Sequence, residues 1–206
     1  MIQYALDHPD KLLNALGEHI TLVMLTMLLS IVLASILTIL SAYSKLIAKL
    51  VIHFFSTMYA IPSLALFAVL IPFTGLGSTT AIVGLTIYCQ YILLRSFSSG
   101  INQVDPTIVE AARGMGMTPL QILYKIQLPL AKRSFLSGIR LAFTSTIGIA
   151  TIAASINAGG IGVILFDGLR TMNMDKLLWG SVLSTGLALA TNALILLAER
   201  KIKIIN

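Results

Sequence analysis

The chain has 206 residues, 57% of them hydrophobic and only 11% charged, with a formal net charge of +6 and a mean hydropathy of +0.93. Soluble domains carry about 25% charged residues, so this composition excludes an ordinary water-soluble globule and places the chain in a bilayer. The basic pI of about 9.6 reflects membrane topology, since a nucleic-acid footprint would cluster the charges on one folded domain.

Residues 1–18 read as a short amphipathic segment lying at the outer surface. They lack the basic stretch that opens a cleavable leader, so the first span is expected to stay in place. Charge-free runs then cover residues 19–44, 50–94, 141–166 and 177–198, which are 26, 45, 26 and 22 positions long. A membrane crossing needs about 20 apolar residues. The second run is too long for one crossing, and the stretch PFTGLGSTT, Pro72–Thr80, breaks it with turn-forming residues. The expected fold is an all-α integral membrane protein with five transmembrane helices near 20–43, 50–72, 79–95, 135–157 and 177–198. Residues 19–206 then form one membrane domain.

Orientation follows from the basic residues. The 44–49 loop, the 95–140 loop and the C-terminal tail hold eleven Lys or Arg, including Lys45, Arg95 and Lys203, against three acids, a balance of +8. The opposite side holds three bases against five acids, or −2. Basic loops stay in the cytoplasm, so the N-terminus is expected outside and the C-terminus inside. The single cysteine, Cys89, lies within a span and excludes an intramolecular disulfide. His8, His19 and His53 are scattered over expected surface, and no two sit at metal-ligand spacing. No acid, base and nucleophile set suggests catalysis.

The one long polar segment, VEAARGMGMTPLQILYKIQLPLAK from Val109 to Lys132, falls in the inner loop 96–134. Asp105-Pro106 reads as an N-cap with proline at the first helical position, and Gly114 and Gly116 stop that helix. Thr118 and Gln121 have capping-box spacing, and a second helix should end before Pro129. Two such short helices do not persist alone in water. Their apolar residues must pack on the chain's own spans or in a cleft of another protein. Ala111-Ala112 allows close helix approach, and Glu110 with Arg113 offers an i,i+3 charged pair.

Glu110-Ala111-Ala112, three residues, Gly116, nine residues, and Ile126-Gln127-Leu128-Pro129 together resemble in full the EAA motif of the membrane-spanning subunits of binding-protein-dependent ABC importers. That resemblance implies a type I ABC importer-like fold in a prokaryotic plasma membrane, with loop 96–134 as the coupling loop. Glu110, Ala111, Ala112 and Arg113 would dock in a separate ATP-binding subunit, Gly116 would turn the corner, and Ile126, Leu128 and Pro129 would complete the motif. AIPSLALFAVLIPFTGLG from Ala60, the Gly159-Gly160-Ile161-Gly162 turn and Ala198-Glu199-Arg200-Lys201 are similar to permeases of the osmoprotectant branch, which import glycine betaine, carnitine, choline or proline betaine. Related permeases of that branch serve solutes such as ergothioneine. Some relatives carry a fused solute-binding domain. Here the end at Asn206 leads to the expectation of a separate external binding protein. No glycine is followed by lysine, so no phosphate loop of the Gly-Lys type is present. ATP and Mg are accordingly expected in the partner subunit, with no cofactor in this chain. The remaining expected partners are a second permease subunit and membrane lipid, with no nucleic acid.

For the solute path, Pro62 is expected to kink the second span and free the Met58 carbonyl, as a hinge near Tyr59 and Ser63 or as an ordinary membrane-helix proline. Tyr59, Tyr88 and Tyr91 are the best membrane-embedded aromatic candidates for holding a quaternary ammonium, though Tyr88 and Tyr91 serve equally well as packing or interfacial anchors. Trp179 falls at the outer belt. This subunit therefore reads as a poor cage and a weakly selective corridor. Thr144, Ser145, Thr146, Gly148, Thr151 and Ser155 give the fourth span a small polar face, which keeps an osmotically gated channel as the alternative. The spans hold no carboxylate, against a proton-coupled carrier. Gly159, Gly160 and Gly162 form either a binding-protein contact or a flexible link, and Asp167, Arg170 and Asp175 are candidate docking charges.

Overall fold

The computed structural model describes residues 2–42 and 44–201, with backbone alone for Ala42, Lys45 and Lys201; Lys203 lies outside the described residues. All described secondary structure is helical: α1 (Ile2–Asp7), α2 (Pro9–Ala42), α3 (Lys45–Ala60), α4 (Ser63–Thr74), α5 (Ser78–Asn102), α6 (Pro106–Gly114), α7 (Pro119–Ile122), α8 (Leu128–Leu130), α9 (Lys132–Ile152), α10 (Ile161–Arg170) and α11 (Met174–Lys201). A π turn (Leu123–Gln127) joins α7 to α8, and a 3₁₀ turn (Ala153–Ile156) extends α9. Among the described residues four helical runs are long and apolar enough to cross a membrane: Pro9–Ser41, Ser78–Asn102, Lys132–Ile156 and Met174–Arg200. Leu46–Ala60 and Ser63–Thr74, bent by 104°, form the candidate fifth.

α5 is the hub of the bundle. It packs along α2 and α9 and also meets α3 and α4; twelve of its 25 residues are buried, whereas among the described residues of α11 only Gly180 is. In a lipid environment apolar surface alone does not hold helices together, so close approach and buried polar bonds carry much of the association. Both are present. A Cβ on Gly84 would stand 2.7 Å from Phe67 Cε1, and one on Gly100 would stand 2.6 Å from Ser134 Cβ, so these glycines let α4 and α9 lie directly on α5. Gln90, fully buried, donates from Nε2 to the Ser30 carbonyl at 3.1 Å and ties α5 to α2. Cys89 Sγ lies 2.9 Å from Thr146 Oγ1, which makes the cysteine a packing residue between α5 and α9.

Several boundaries differ from the sequence reading, each for a local reason. α2 runs unbroken from Pro9 through position 18, and its 34 residues span about 51 Å at 1.5 Å per residue, well beyond a hydrocarbon core of about 30 Å. Its first turns are continuous with the spanning helix and pack on the rest of the chain. Leu12 and Ala15 pack with Ile164, Trp179 and Leu183 in a satellite core, which gives Trp179 a packing role. The second span is two helices: Ile61 is extended (φ −71°, ψ 133°), as a residue before proline prefers, and α4 starts after Pro62. The Met58 carbonyl is not freed, because the Ile61 N–H donates to it at 3.2 Å. Pro72 sits inside α4, and the chain turns at Gly75 and Gly77, both at positive φ.

α5 continues past Arg95 to Asn102, so this arginine belongs to a spanning helix and not to the loop where its charge had placed it. The second loop helix does not end before Pro129. Leu128 is helical, and its N–H reaches the Leu123 carbonyl five residues back, a wider turn that accommodates the proline ring. The connection between α9 and α11 holds a full helix, α10. His19 is buried, its Nε2 3.1 Å from the Ile147 carbonyl, and is therefore not a surface residue.

Candidate functional site

The loop between α5 and α9 folds into an exposed elbow. Asp105 caps α6, its carboxylate accepting from the Thr107 N–H at 2.9 Å and the Thr107 hydroxyl at 2.8 Å. These bonds hold its pKa below the usual carboxylate value, the backbone bond contributing most. At the other end Met117 N–H donates to the Ala112 carbonyl at 3.1 Å and Gly116 N–H to that of Arg113 at 3.0 Å. This is the paired C-terminal bond pattern in which a left-handed residue closes a helix, and Gly116 takes that role at φ 82°. Thr118 and Gln121 then complete a reciprocal capping box that starts α7. Among the EAA residues Ala112 is fully buried, whereas Glu110, Ala111, Arg113 and Gly116 face out. Glu110 and Arg113 form no ion pair with each other, contrary to their spacing, and neither joins an ion pair among the described residues. Ile126 and Leu128 are half-buried and Pro129 is exposed. Around the elbow Ile108, Met115, Leu120, Tyr124 and Leu130 are exposed, Met115 at 74%. An elbow this apolar and this lightly covered by its own chain is suited to seat against another protein.

The second feature is a cleft of about 490 Å³ between α3, α5 and α9, lined by Tyr59, Tyr91, Arg95, Ser99, Ser137 and Ser145 among others. Tyr59 meets Tyr91 at 4.9 Å and Tyr88 at 5.6 Å between ring centroids, so the packing of α3 on α5 brings the three expected tyrosines together. The Tyr88 hydroxyl donates to the Ile61 carbonyl and fixes that bend. Arg95 donates to the Tyr91 hydroxyl at 2.7 Å. Ser63 begins α4, half-buried beside Pro62. Thr144 and Thr151 bond back to the carbonyls of Arg140 and Gly148, and Ser155 to that of Ile152. Thr146 is buried against Cys89, so the polar face of α9 does not form one continuous hydroxyl row. Of this lining the sequence reading names Ser145 but not Arg95, Ser96, Ser99, Ser134 or Ser137 as site residues. Their signal was present as Ser96/Ser99 and Ser134/Ser137 at i,i+3 spacing, on one face of each helix.

At the end of α9 away from the elbow, the glycine turn is packed and not a loose link: Gly159 is half-buried, and Gly160 and Gly162 are buried. Gly159 and Gly160 have φ near 80° and lie against Glu18 and His19; the Gly160 N–H donates to Glu18 Oε2 at 2.9 Å. A Cβ on Gly162 would collide with the Thr151 carbonyl. Beyond it, Asp167 accepts from Lys176 at 2.6 Å and Arg170 at 3.0 Å, and these bonds, that of Lys176 first, keep its carboxyl below the usual range. Asp175 lies in the first turn of α11.

Residues 27–204 match the family described as the binding-protein-dependent transport system inner membrane component. The chain is 34% identical over 189 residues to a carnitine transport permease protein, OpuCB, of Listeria monocytogenes, covering 92% of this chain and 87% of the relative. It is 33% identical over 202 residues to a choline transport system permease protein, OpuBB, of Bacillus subtilis, covering 98% and 93%. Its fold superposes on a solved amino acid ABC transporter chain with a TM-score of 0.82 at 19% identity, covering 97% of this chain and 98% of that one.

Proposed function

Because the chain belongs to the binding-protein-dependent inner-membrane transport components, we propose that it is the permease subunit of an ATP-driven importer for betaine-type quaternary ammonium osmoprotectants. The observation that carries this reading is the exposed elbow: a capped nine-residue helix, a left-handed Gly116 corner and an apolar rim. In this role α6 docks in an ATP-binding subunit that holds ATP and Mg. Closure of two such subunits draws two elbows together, and rigid bundles rock between outward and inward access. Rigidity of the joint comes from the Asp105 cap, the paired bonds at Gly116 and the Thr118–Gln121 box. The elbow then faces the cytoplasm, the N-terminus lies outside, and a second permease subunit completes the corridor. A separate solute-binding protein delivers its load on the outer side near Asp167, Arg170 and Asp175.

The substrate class rests on relatives described as carnitine and choline permeases together with the tyrosine cluster, whose ring faces suit a quaternary ammonium. The test is reconstitution with its ATP-binding and solute-binding partners in liposomes. Uptake of glycine betaine, carnitine or choline that requires ATP and the binding protein is expected. Solute flux or conductance from this chain alone, without ATP, would establish the channel reading instead.

A further inference from the structure

A charge on a membrane-spanning helix is expensive and is kept where it works. Arg95 stands two turns from the end of α5, opens onto the cleft, and has no acidic neighbour in the cleft lining. Its guanidinium carbon lies 5.9 Å from the Tyr91 ring centroid, and one of its nitrogens donates to the neutral Tyr91 hydroxyl. A guanidinium carries five N–H donors in a planar fork, so after this single protein bond it can still grip a carboxylate bidentately. Next to it, Tyr59 presents a partly exposed ring, 4.9 Å from Tyr91. A cationic fork therefore adjoins an aromatic face inside one cleft, and the rest of the described lining is largely serine.

Resting on the betaine reading above, we propose that this cleft is a solute station within the permease that selects zwitterions, with the carboxylate on Arg95 and the quaternary ammonium on Tyr59, over purely cationic choline. A zwitterion brings its own counter-charge to Arg95, whereas choline brings a second positive charge and no acceptor anion. The corridor is then not indifferent to what the binding protein delivers.

The test uses the reconstituted complex with an unchanged binding protein at saturation, so that altered selectivity is assigned to the permease. Arg95→Gln should lower glycine betaine flux about tenfold relative to choline flux, and Arg95→Lys should restore most of the original ratio. Tyr59→Leu should lower both fluxes with the ratio preserved, because the ammonium group is common to both solutes. Co-elution of the ATP-binding subunit checks assembly of each variant. A measurement on the unaltered complex covers the case of a variant that fails to assemble: without binding protein, millimolar glycine betaine should stimulate ATP hydrolysis and millimolar choline should not. Equal loss of both fluxes in Arg95→Gln, an unchanged ratio, or equal stimulation by both solutes overturns the proposal. If the wild-type complex moves neither solute, the substrate reading fails first; glycine betaine uptake whose ratio to choline ignores Arg95 overturns this inference alone.

Discussion

Gly116 offers a clean separation of backbone strain from bulk. Its φ of 82° is left-handed, and a Cβ placed there meets nothing within 4 Å. Within the chain, a side chain at this position has room and only the conformation is costly. Left-handed geometry costs a residue with a Cβ about 1–2 kcal/mol, which reduces the population of the corner roughly 5- to 30-fold. Asparagine bonds locally and accepts this region more readily, and a β-branched residue is the worst choice. The expected order of ATP-dependent uptake is therefore Gly, then Gly116→Asn, Gly116→Ala and Gly116→Val. Each variant should be present in the membrane at wild-type levels, because the corner lies outside the bundle core. Asparagine is larger than alanine, so size and strain make opposite forecasts. An active Gly116→Ala beside an inactive Gly116→Asn would refute the strain argument and assign the position to steric fit in a partner.

Three further outcomes follow from the same geometry. Glu110→Lys alters an exposed residue with no ion pair, so the thermal midpoint of the purified chain should move by the equivalent of no more than about 0.5 kcal/mol, while co-purification of the ATP-binding subunit weakens about tenfold, or 1.4 kcal/mol. Phe67→Ala empties a fully buried site beside Gly84; a loss of about 3 kcal/mol would lower the melting temperature in detergent by roughly 6–12 °C. Asp167→Asn removes the acceptor charge for Lys176 and Arg170 and should speed hydrogen exchange at residues 171–177 at pH 7. The folded-state pKa of Asp167 is depressed, so its contribution is present above the ordinary aspartate range near pH 3.9 and is lost only as pH falls through the lower folded value. Exchange protection of this joint in the wild type, corrected for intrinsic rates, should stay constant from pH 5 to 8.

The elbow was legible in the sequence because its signals are local: a cap, a proline at the first helical position, a glycine stop and a capping box act within a few residues. The spanning helices were legible because the absence of charge is a crude, long-range signature. What escaped depended on tertiary partners. Arg95 looked like the end of a span because charges usually mark one, yet a cleft shared with α3 and α9 lets it sit inside the helix. His19 looked exposed because nothing in sequence announces the Ile147 carbonyl, 128 positions away. Pro129 looked like a helix stop because the π turn that absorbs it has no simple sequence mark. Gly159 and Gly160 read as either a binding-protein contact or a flexible link, and sequence alone does not announce their close packing on Glu18 and His19.

The most direct measurement is site-directed crosslinking from the elbow. Ala111 is exposed and the native Cys89 is buried, so Ala111→Cys provides one reactive thiol. In membranes holding the assembled importer, that thiol should crosslink to the ATP-binding subunit, and a membrane-impermeant maleimide added outside intact cells should not reach it. Labelling from the outside, or crosslinks only to the solute-binding protein, would contradict the account.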